Sequence, residues 1–588
     1  MFIKNLCRAV TDTLCEPNAA TAVDLHRLRK NACKKDTPVE CLCVRVALIV
    51  AEVHNIFGAQ SCDERVMDRR GQWGSRSSFQ IGRAVRTSRL VATTLGAAAL
   101  VFGMGLSAQA LPSFARQTGQ PCGTCHTDYP GLTPFGRLFK LNGYTTGGGK
   151  FRTTLFPSQD NATNALAAYS KKLKAGKDSD STKTTQSDTS DIWVPPISMM
   201  TIVGYTHTQA DQLQSSPYKP NDNVVVAPLS FFYGGAITDH IGAFAQVTYN
   251  NAAFGGSAPG SFNPDPCANC EWSWDNIDIR YANTGKLGNM DVIYGISANN
   301  NPSVQDPWNT TPAWGFPYAA STIAPSPAAA TLVDGTYAAF VGGAGAYAFI
   351  NNLVYLELTG YRTLDFKTLP KLGIDPLGAS PFQELAPYWR LAVEPHWGNH
   401  WLEFGTFGMS ARVHPFTGAT DENGFAINQT FPQTDRFTDV AFDTQYQYQG
   451  ENFWFTLRGT YIHEDQKLDA SFNNGFSLNP SNTLNTLRAY ASLAYGNDNR
   501  IVLTGQYFDT WGSSDPTLYA ELASGFSPNS NGFIAEIAYI PFVSSNAPIW
   551  PWANMRLGLQ YTYYNKFDGT TVNAHDNNTL FLHAWFAL

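Results

Sequence analysis

From Trp193 to Leu588 apolar and polar residues alternate with a period of two, run after run. Such a pattern suits strands with one face in an apolar medium and the other in a wet one. Between 436 and 449, Thr438, Val440, Phe442, Thr444, Tyr446 and Tyr448 share one face, and Asp439, Ala441, Asp443, Gln445 and Gln447 the other. Met555, Leu557, Leu559, Tyr561 and Tyr563 repeat the pattern opposite Arg556, Gly558, Gln560 and Thr562, as do Ile277, Ile279 and Tyr281 opposite Asn276, Asp278 and Arg280. Sixteen runs are expected, at 197–207, 224–237, 241–250, 272–282, 289–298, 334–350, 352–362, 385–396, 399–413, 436–449, 452–466, 485–496, 499–511, 531–543, 553–567 and 577–588.

The connections between these runs alternate between short and long. The short ones include Thr238–His240, Thr284–Gly288, Asn351, Gly398, Gly450-Glu451 and Asn497-Asp498; the long ones include 251–271, 299–333, 363–384, 414–435 and 512–530. Short periplasmic turns and long external loops are the habit of outer-membrane barrels, and an even strand count allows closure. The expected fold class is all-β: an antiparallel transmembrane β-barrel of about 16 strands, porin-like, with both termini periplasmic. A soluble sandwich would not alternate its loop lengths so regularly, and the region is long for one sandwich. With 13% aromatic residues the chain has ample apolar surface to bury, which excludes disorder. Only Leu90–Leu106 approaches the length of a membrane-spanning helix, which argues against a helical bundle.

Charge divides the chain near residue 110. Residues 1–110 hold 15 Lys+Arg and 9 Asp+Glu; the whole chain holds 40 and 47, so the remainder holds 25 and 38, a net of -13. Arg83, Arg86 and Arg89 precede the apolar stretch Leu90–Leu106, and Ala108-Gln109-Ala110 follows it. That order describes a secretory signal peptide over 83–110, cleaved after Ala110. Residues 1–82 then read as an over-extended reading frame. The expected parts that follow are a haem segment at 111–149, a polar linker or insertion at 150–192 and the barrel at 193–588.

Cys122-Gly123-Thr124-Cys125-His126 is the attachment signature of c-type haem. Two thiols two residues apart can add to the two vinyl groups of one porphyrin, and the adjacent imidazole supplies the proximal iron ligand. A zinc site would need two more ligands at suitable spacing, and a thioredoxin-like motif a βαβ context. The second pair, Cys267/Cys270, is followed by Glu271 instead of histidine and reads as a loop disulfide or staple. One covalent haem c is therefore expected, on Cys122, Cys125 and His126. The candidates for its distal ligand are Met199, Met200 and His207, since no Met or His lies between Thr127 and Ser198. Arg116, Arg137 and Lys140 are candidate partners of the haem propionates, with solvated surface charge as the alternative.

The haem segment is too short to enclose a porphyrin alone, being near the roughly 40-residue limit below which domains need outside help. A barrel of sixteen strands has a lumen wide enough for a plug. The simplest assembly places the segment, with its haem, inside the lumen. It yields an electron conduit through an outer membrane.

Two stretches resemble a known family. Pro112-Ser-Phe-Ala-Arg-Gln-Thr-Gly-Gln-Pro-Cys-Gly-Thr-Cys-His126, followed by Pro134-Phe-Gly-Arg-Leu-Phe-Lys-Leu-Asn-Gly-Tyr144, is similar to the haem segment of the fused outer-membrane monohaem cytochrome–porins of iron-oxidising bacteria. The loop Asn301-Pro-Ser-Val-Gln-Asp-Pro-Trp-Asn-Thr-Thr-Pro-Ala-Trp-Gly-Phe-Pro317 is also similar to that family. The resemblance implies oxidation of extracellular Fe(II), an iron:cytochrome c oxidoreductase type of electron transfer. The electron would go to a periplasmic cytochrome, from a Gram-negative outer membrane and with no nucleic-acid partner. Only Cys122, Cys125 and His126 carry over, and no catalytic residue is assigned. The insertion at 150–191 and the final Leu588, where such barrels often end in phenylalanine, are departures. A different electron donor, or a diffusion porin whose haem segment is only a plug, are the alternatives. Asp306, Trp308 and Trp314 fall in the third long loop, expected either to fold inward over the haem or to cap the barrel with aromatic residues.

Overall fold

The computed structural model describes residues 111–145, 196–212, 218–249, 272–419, 427–519 and 526–588. The expected reading-frame extension, signal peptide, the whole linker at 150–192 and the Cys267/Cys270 pair lie outside the described residues. Three short helices come first: α1 (Pro112–Thr118), α2 (Cys122–Cys125) and α3 (Pro134–Leu141). The wall begins with β1 (Ile197–Thr208), β2 (Asn223–Ala236), β3 (Ile241–Tyr249), β4 (Trp272–Leu287), β5 (Met290–Asn299), β6 (Val341–Ile350) and β7 (Val354–Thr363). β8 has two pieces, Ala386–Val393 and His396–Trp397, and is followed by β9 (His400–Val413), β10 (Asp435–Gln449), β11 (Phe453–Lys467) and β12 (Ser481–Tyr495). β13 (Arg500–Gly512), β14 (Ser530–Ile540), β15 (Asn554–Lys566) and β16 (Thr579–Ala587) complete it.

Each strand pairs antiparallel with its neighbours in sequence, and β1 pairs with both β2 and β16, so the sheet closes. Counting β8 once, the barrel has sixteen strands. Closure removes every free edge, which a strand in lipid could not leave unpaired. Both ends of the wall lie at the short-turn end, where Met199 and Leu588 exchange backbone hydrogen bonds of 2.5 Å.

The alternation sorts side chains as the sequence pattern predicts. Phe404, Phe442, Leu358, Ile296, Phe533 and Leu503 point outward and are 50–69% exposed. An apolar belt of that extent is far beyond the patches soluble monomers tolerate, and it is the lipid-facing surface of a transmembrane barrel. On the opposite positions Asp278, Arg280, Arg390, Glu403, Asp443, Glu536, Arg556 and His583 are buried in the lumen. No helix among the described residues is long and apolar enough to cross a membrane.

β4 runs on to Leu287 instead of ending at 282, β12 starts at Ser481 instead of 485, and β14 ends at Ile540 instead of 543; the departures with a visible cause are at β6 and β8. β6 starts at Val341 instead of 334 because the residues before it leave the wall. The Leu332 and Val333 N–H groups donate to Glu464 (2.6 Å) and Asp439 (2.8 Å) inside the lumen, and both side chains pack with Tyr337, Phe407 and Met409. β8 is interrupted at Glu394-Pro395. Proline has no N–H for the ladder, and the Glu394 carboxylate turns inward to Arg137, 2.8 Å away.

The third long loop, 300–340, folds into the lumen. Ser303, Gln305, Asp306, Thr311 and Thr331 are fully buried. Asp306 organises the loop. One carboxylate oxygen accepts from the N–H of Thr310 (3.0 Å) and Thr311 (3.2 Å), the other from the N–H of Trp308 (3.1 Å) and from Arg390 on β8 (3.2 Å). Removing a buried charged acceptor of this kind costs about 3–5 kcal/mol. Asp306→Ala should therefore release the loop, raising single-channel conductance in planar bilayers and lowering the thermal midpoint of the barrel.

Candidate functional site

The segment 111–145 forms short helices because its proline and capping residues dictate their ends. Pro112 and Pro134 occupy first-turn positions, where a missing N–H costs nothing. Thr133 caps α3 by accepting from the Gly136 N–H at 3.2 Å, and Gly119 ends α1 in the left-handed conformation. α2 is one turn. Its three-residue separation brings Cys122 and Cys125 to the same side, with His126 leaving the turn in extended conformation. α3 lies hard against this turn: a Cβ on Gly136 would sit 2.2 Å from the Cys125 carbonyl oxygen.

Inward-facing charges of the wall hold the segment in the lumen. Arg500 on β13 donates to the carbonyls of His126 and of Thr127 (2.6 Å). Arg556 on β15 pairs with Asp128 and also with Glu536. Arg137 reaches Glu394 and the Gln447 Oε1 (2.6 Å). The Lys140 Nζ donates to the carbonyls of Val304 (2.7 Å) and Asp306 (2.8 Å) in the inward loop, and Tyr144 donates to Asp278 (2.7 Å). Backbone also meets backbone closely, since a Cβ on Gly242 would lie 2.1 Å from the Gly143 oxygen.

Cys122, Cys125 and His126 open onto a cavity of about 420 Å³. Phe114, Phe139 and Tyr144 of the segment, Met200, Phe232, Phe244 and Trp585 of the wall, and Trp314 and Tyr318 of the inward loop line it. The His126 Nδ1 lies 3.2 Å from the Pro130 carbonyl. A carbonyl only accepts, so this contact assigns the proton to Nδ1 and leaves Nε2 as a bare lone pair. Burial pushes the imidazole down to about 4, against the pull of the Pro130 and Gly131 carbonyls, so the ring is neutral near pH 7. Burial likewise pushes the Cys122 thiol up to about 11 and that of Cys125 up to about 12. Two neighbouring thiols, a neutral imidazole with a fixed tautomer and an apolar, aromatic enclosure are what a covalently attached porphyrin needs. The residues fit that group.

The three distal candidates separate by face. Met200 points inward and lines the cavity. Met199 and His207 lie on the outward side of β1, where the exposed His207 pairs with Asp222 at 2.8 Å. Inward and outward positions at the start of β1 are both apolar, so hydrophobic alternation alone does not separate Met199 from Met200. Of the three cations offered as propionate partners, Arg137 is taken by Glu394 and Gln447. Arg116 donates to the Ile197 carbonyl at 2.7 Å and stacks over Trp552. Lys140 lines the cavity, but its ammonium is held by the inward loop and sits 4.6 Å above the Trp314 ring.

A second cavity, of about 400 Å³, lies on the other face of the inward loop. Wall residues next to the long loops line it, among them Arg488, Gln506, Phe508 and Tyr564. Gly315, Pro317 and Ala320 line both cavities, so this stretch of backbone is the partition between them. Nothing in the composition of the loop signals this arrangement. It follows from where Asp306 and Arg390 meet.

The fold and the enclosed segment define a porin-type transmembrane β-barrel with a docked internal plug. No family model matches the chain, and no curated protein does. Among solved structures it is similar to OmpT of Vibrio cholerae, at 9% identity over 67% of this chain and 96% of that one, with a TM-score of 0.33. Salmonella typhi OmpF, in a structure with daunomycin, matches at 10% identity over 67% and 97%, with a TM-score of 0.36. Pseudomonas putida OprB matches at 10% over 66% and 93%, with a TM-score of 0.37. The barrel assignment itself stands on the strand pairing.

Gly136→Ala is expected to push α3 away from the attachment turn. On the expectation of a haem set by the C-x-x-C-H motif, haem stain per folded barrel should fall several-fold while heat-modifiable migration of the barrel on gels stays normal.

Proposed function

We propose that the protein is an outer-membrane electron conduit of a Gram-negative bacterium. It carries one haem c attached to Cys122 and Cys125 and ligated by His126. It takes electrons from extracellular Fe(II) and delivers them to a periplasmic cytochrome. The observation that carries this reading is the enclosure of all three motif residues in one aromatic-lined cavity inside a plugged barrel. A haem bound there supplies a one-electron couple whose potential is set by ligation, burial and hydrogen bonding.

The chain's own residues do the rest. His126 offers Nε2 because Pro130 holds Nδ1. Met200 is the thioether available on the cavity wall. The partition Gly315–Ala320 separates the haem cavity from the outer one, so a donor arriving through the long-loop end approaches within the thickness of one backbone segment. Phe316, on the outer cavity, and Tyr318, on the inner one, stack edge to face across it with centroids 5.5 Å apart. Towards the short-turn end Tyr129 contacts both His126 and Trp585, at 5.2 and 5.0 Å between centroids. Among the described residues there is no group of three or more His, Cys, Asp or Glu side chains placed to hold a metal ion. Fe(II) is therefore read as an outer-sphere donor.

The test is a redox titration of purified, haem-loaded protein. Fe(II) should reduce the haem band of the wild type, and Cys122→Ala should lose covalent haem. Haem that responds to a strong reductant but not to Fe(II) would remove iron as the donor. A diffusion porin is the second reading, favoured by the barrel alone. It requires solute flux into liposomes that Cys122→Ala leaves unchanged, whereas the conduit reading expects a closed wild-type lumen. Met200→Leu should lower the midpoint potential, because a thioether ligand raises it.

A further inference from the structure

Asn309 sits at the tip of the turn that Asp306 caps, with its backbone in the left-handed region at φ 61°. The residue is 4% exposed, yet it lines the cavity that holds Cys122, Cys125 and His126. Its carboxamide orientation is determined by its neighbour: the Leu132 N–H donates to the Asn309 Oδ1 at 3.1 Å. Leu132 is itself bridged to His126 in a short antiparallel pair. With Oδ1 committed, Nδ2 is the atom left over. It has no hydrogen-bond partner in the structure, while the flanking Trp308 and Thr310 N–H groups are both satisfied by Asp306.

Nδ2 is thus a donor left open on the cavity wall, available to a ligand that fills the cavity. The Asp306 turn itself needs only a residue that tolerates positive φ; the asparagine side chain adds an acceptor for Leu132 and a donor at the cavity. Of the other polar groups nearby, Lys140 donates to two carbonyls and Gln246 to Ser230 (3.1 Å) and Thr248 (3.2 Å), whereas the Trp585 Nε1–H on the facing wall of the cavity is also without a partner.

We propose that Asn309 is a further haem-binding residue, whose Nδ2–H donates to a propionate carboxylate. The inference rests on the haem reading above. Its role is positional: it couples the inward-folded loop to the redox site through one hydrogen bond, on the same asparagine that fastens the Leu132–His126 bridge. Donation to a propionate withdraws negative charge from the porphyrin and so favours the reduced state.

The experiment compares haem-loaded wild type with Asn309→Asp and Asn309→Gly. Asp keeps the shape and the acceptor for Leu132 but removes the donor, and Gly keeps the left-handed turn and removes the side chain. The readouts are the midpoint potential and the propionate bending band in resonance Raman spectra. Both variants should lower the potential, Asp more than Gly, and both should shift the propionate band. Wild-type potential and band in the two variants would overturn the assignment while leaving the haem reading intact. If Asn309→Asp fails to accumulate haem, Asn309→Gly decides alone. Absence of haem from the wild type would overturn both.

Discussion

The structure depends on the pairing of charges inside the lumen. A closed sheet with a lipid-facing exterior must direct its polar side chains inward, and charges there, shielded from bulk water, need partners. Arg390 is the centre of the arrangement. Its guanidinium contacts Glu403 (3.2 Å) and Asp443 (2.7 Å) of the adjoining wall and Asp306 of the inward loop. The wall thereby presents a cation to an acidic loop, and the loop is drawn in. With the loop in place, its carbonyls at Val304 and Asp306 become the acceptors for Lys140, and the plug is fastened in turn.

The same logic places the attachment turn. Arg500 and Arg556 belong to strands that begin at the short-turn end, and both address residues 126–129. The motif is thus held at one level of the barrel by two guanidinium groups, and the cavity in front of it is closed by Trp314 and Tyr318 from the loop. Neither the plug nor the loop forms the cavity alone. This mutual dependence explains how a segment too short to enclose such a cavity alone is completed by the wall and the loop.

Much of the wall was legible in the sequence because period-two alternation is local. Asp443 faces inward and Phe442 outward for the same reason that they are neighbours, and the expected strand limits in β9, β10 and β15 differ from the observed ones by one residue. The misjudged boundary at β6 has a tertiary cause. Leu332 and Val333, just before the expected start at 334, are held inside the lumen by Glu464 and Asp439, more than a hundred positions away, so the chain rejoins the wall only at Val341. Asn309 was not distinguishable as a site residue either, since an asparagine after a tryptophan in a long loop carries no local signature of a cavity.

The sequence by itself determined the strand count, the sorting of most side chains between lipid and lumen, and the Cys122, Cys125, His126 constellation. These depend on spacing along a few residues. Only the tertiary structure decided that Met200 and not Met199 or His207 reaches the cavity, that the third loop turns inward, and that one stretch of its backbone divides two cavities. Those outcomes depend on which buried charges find each other across the lumen, and that pairing exists only once the barrel is closed.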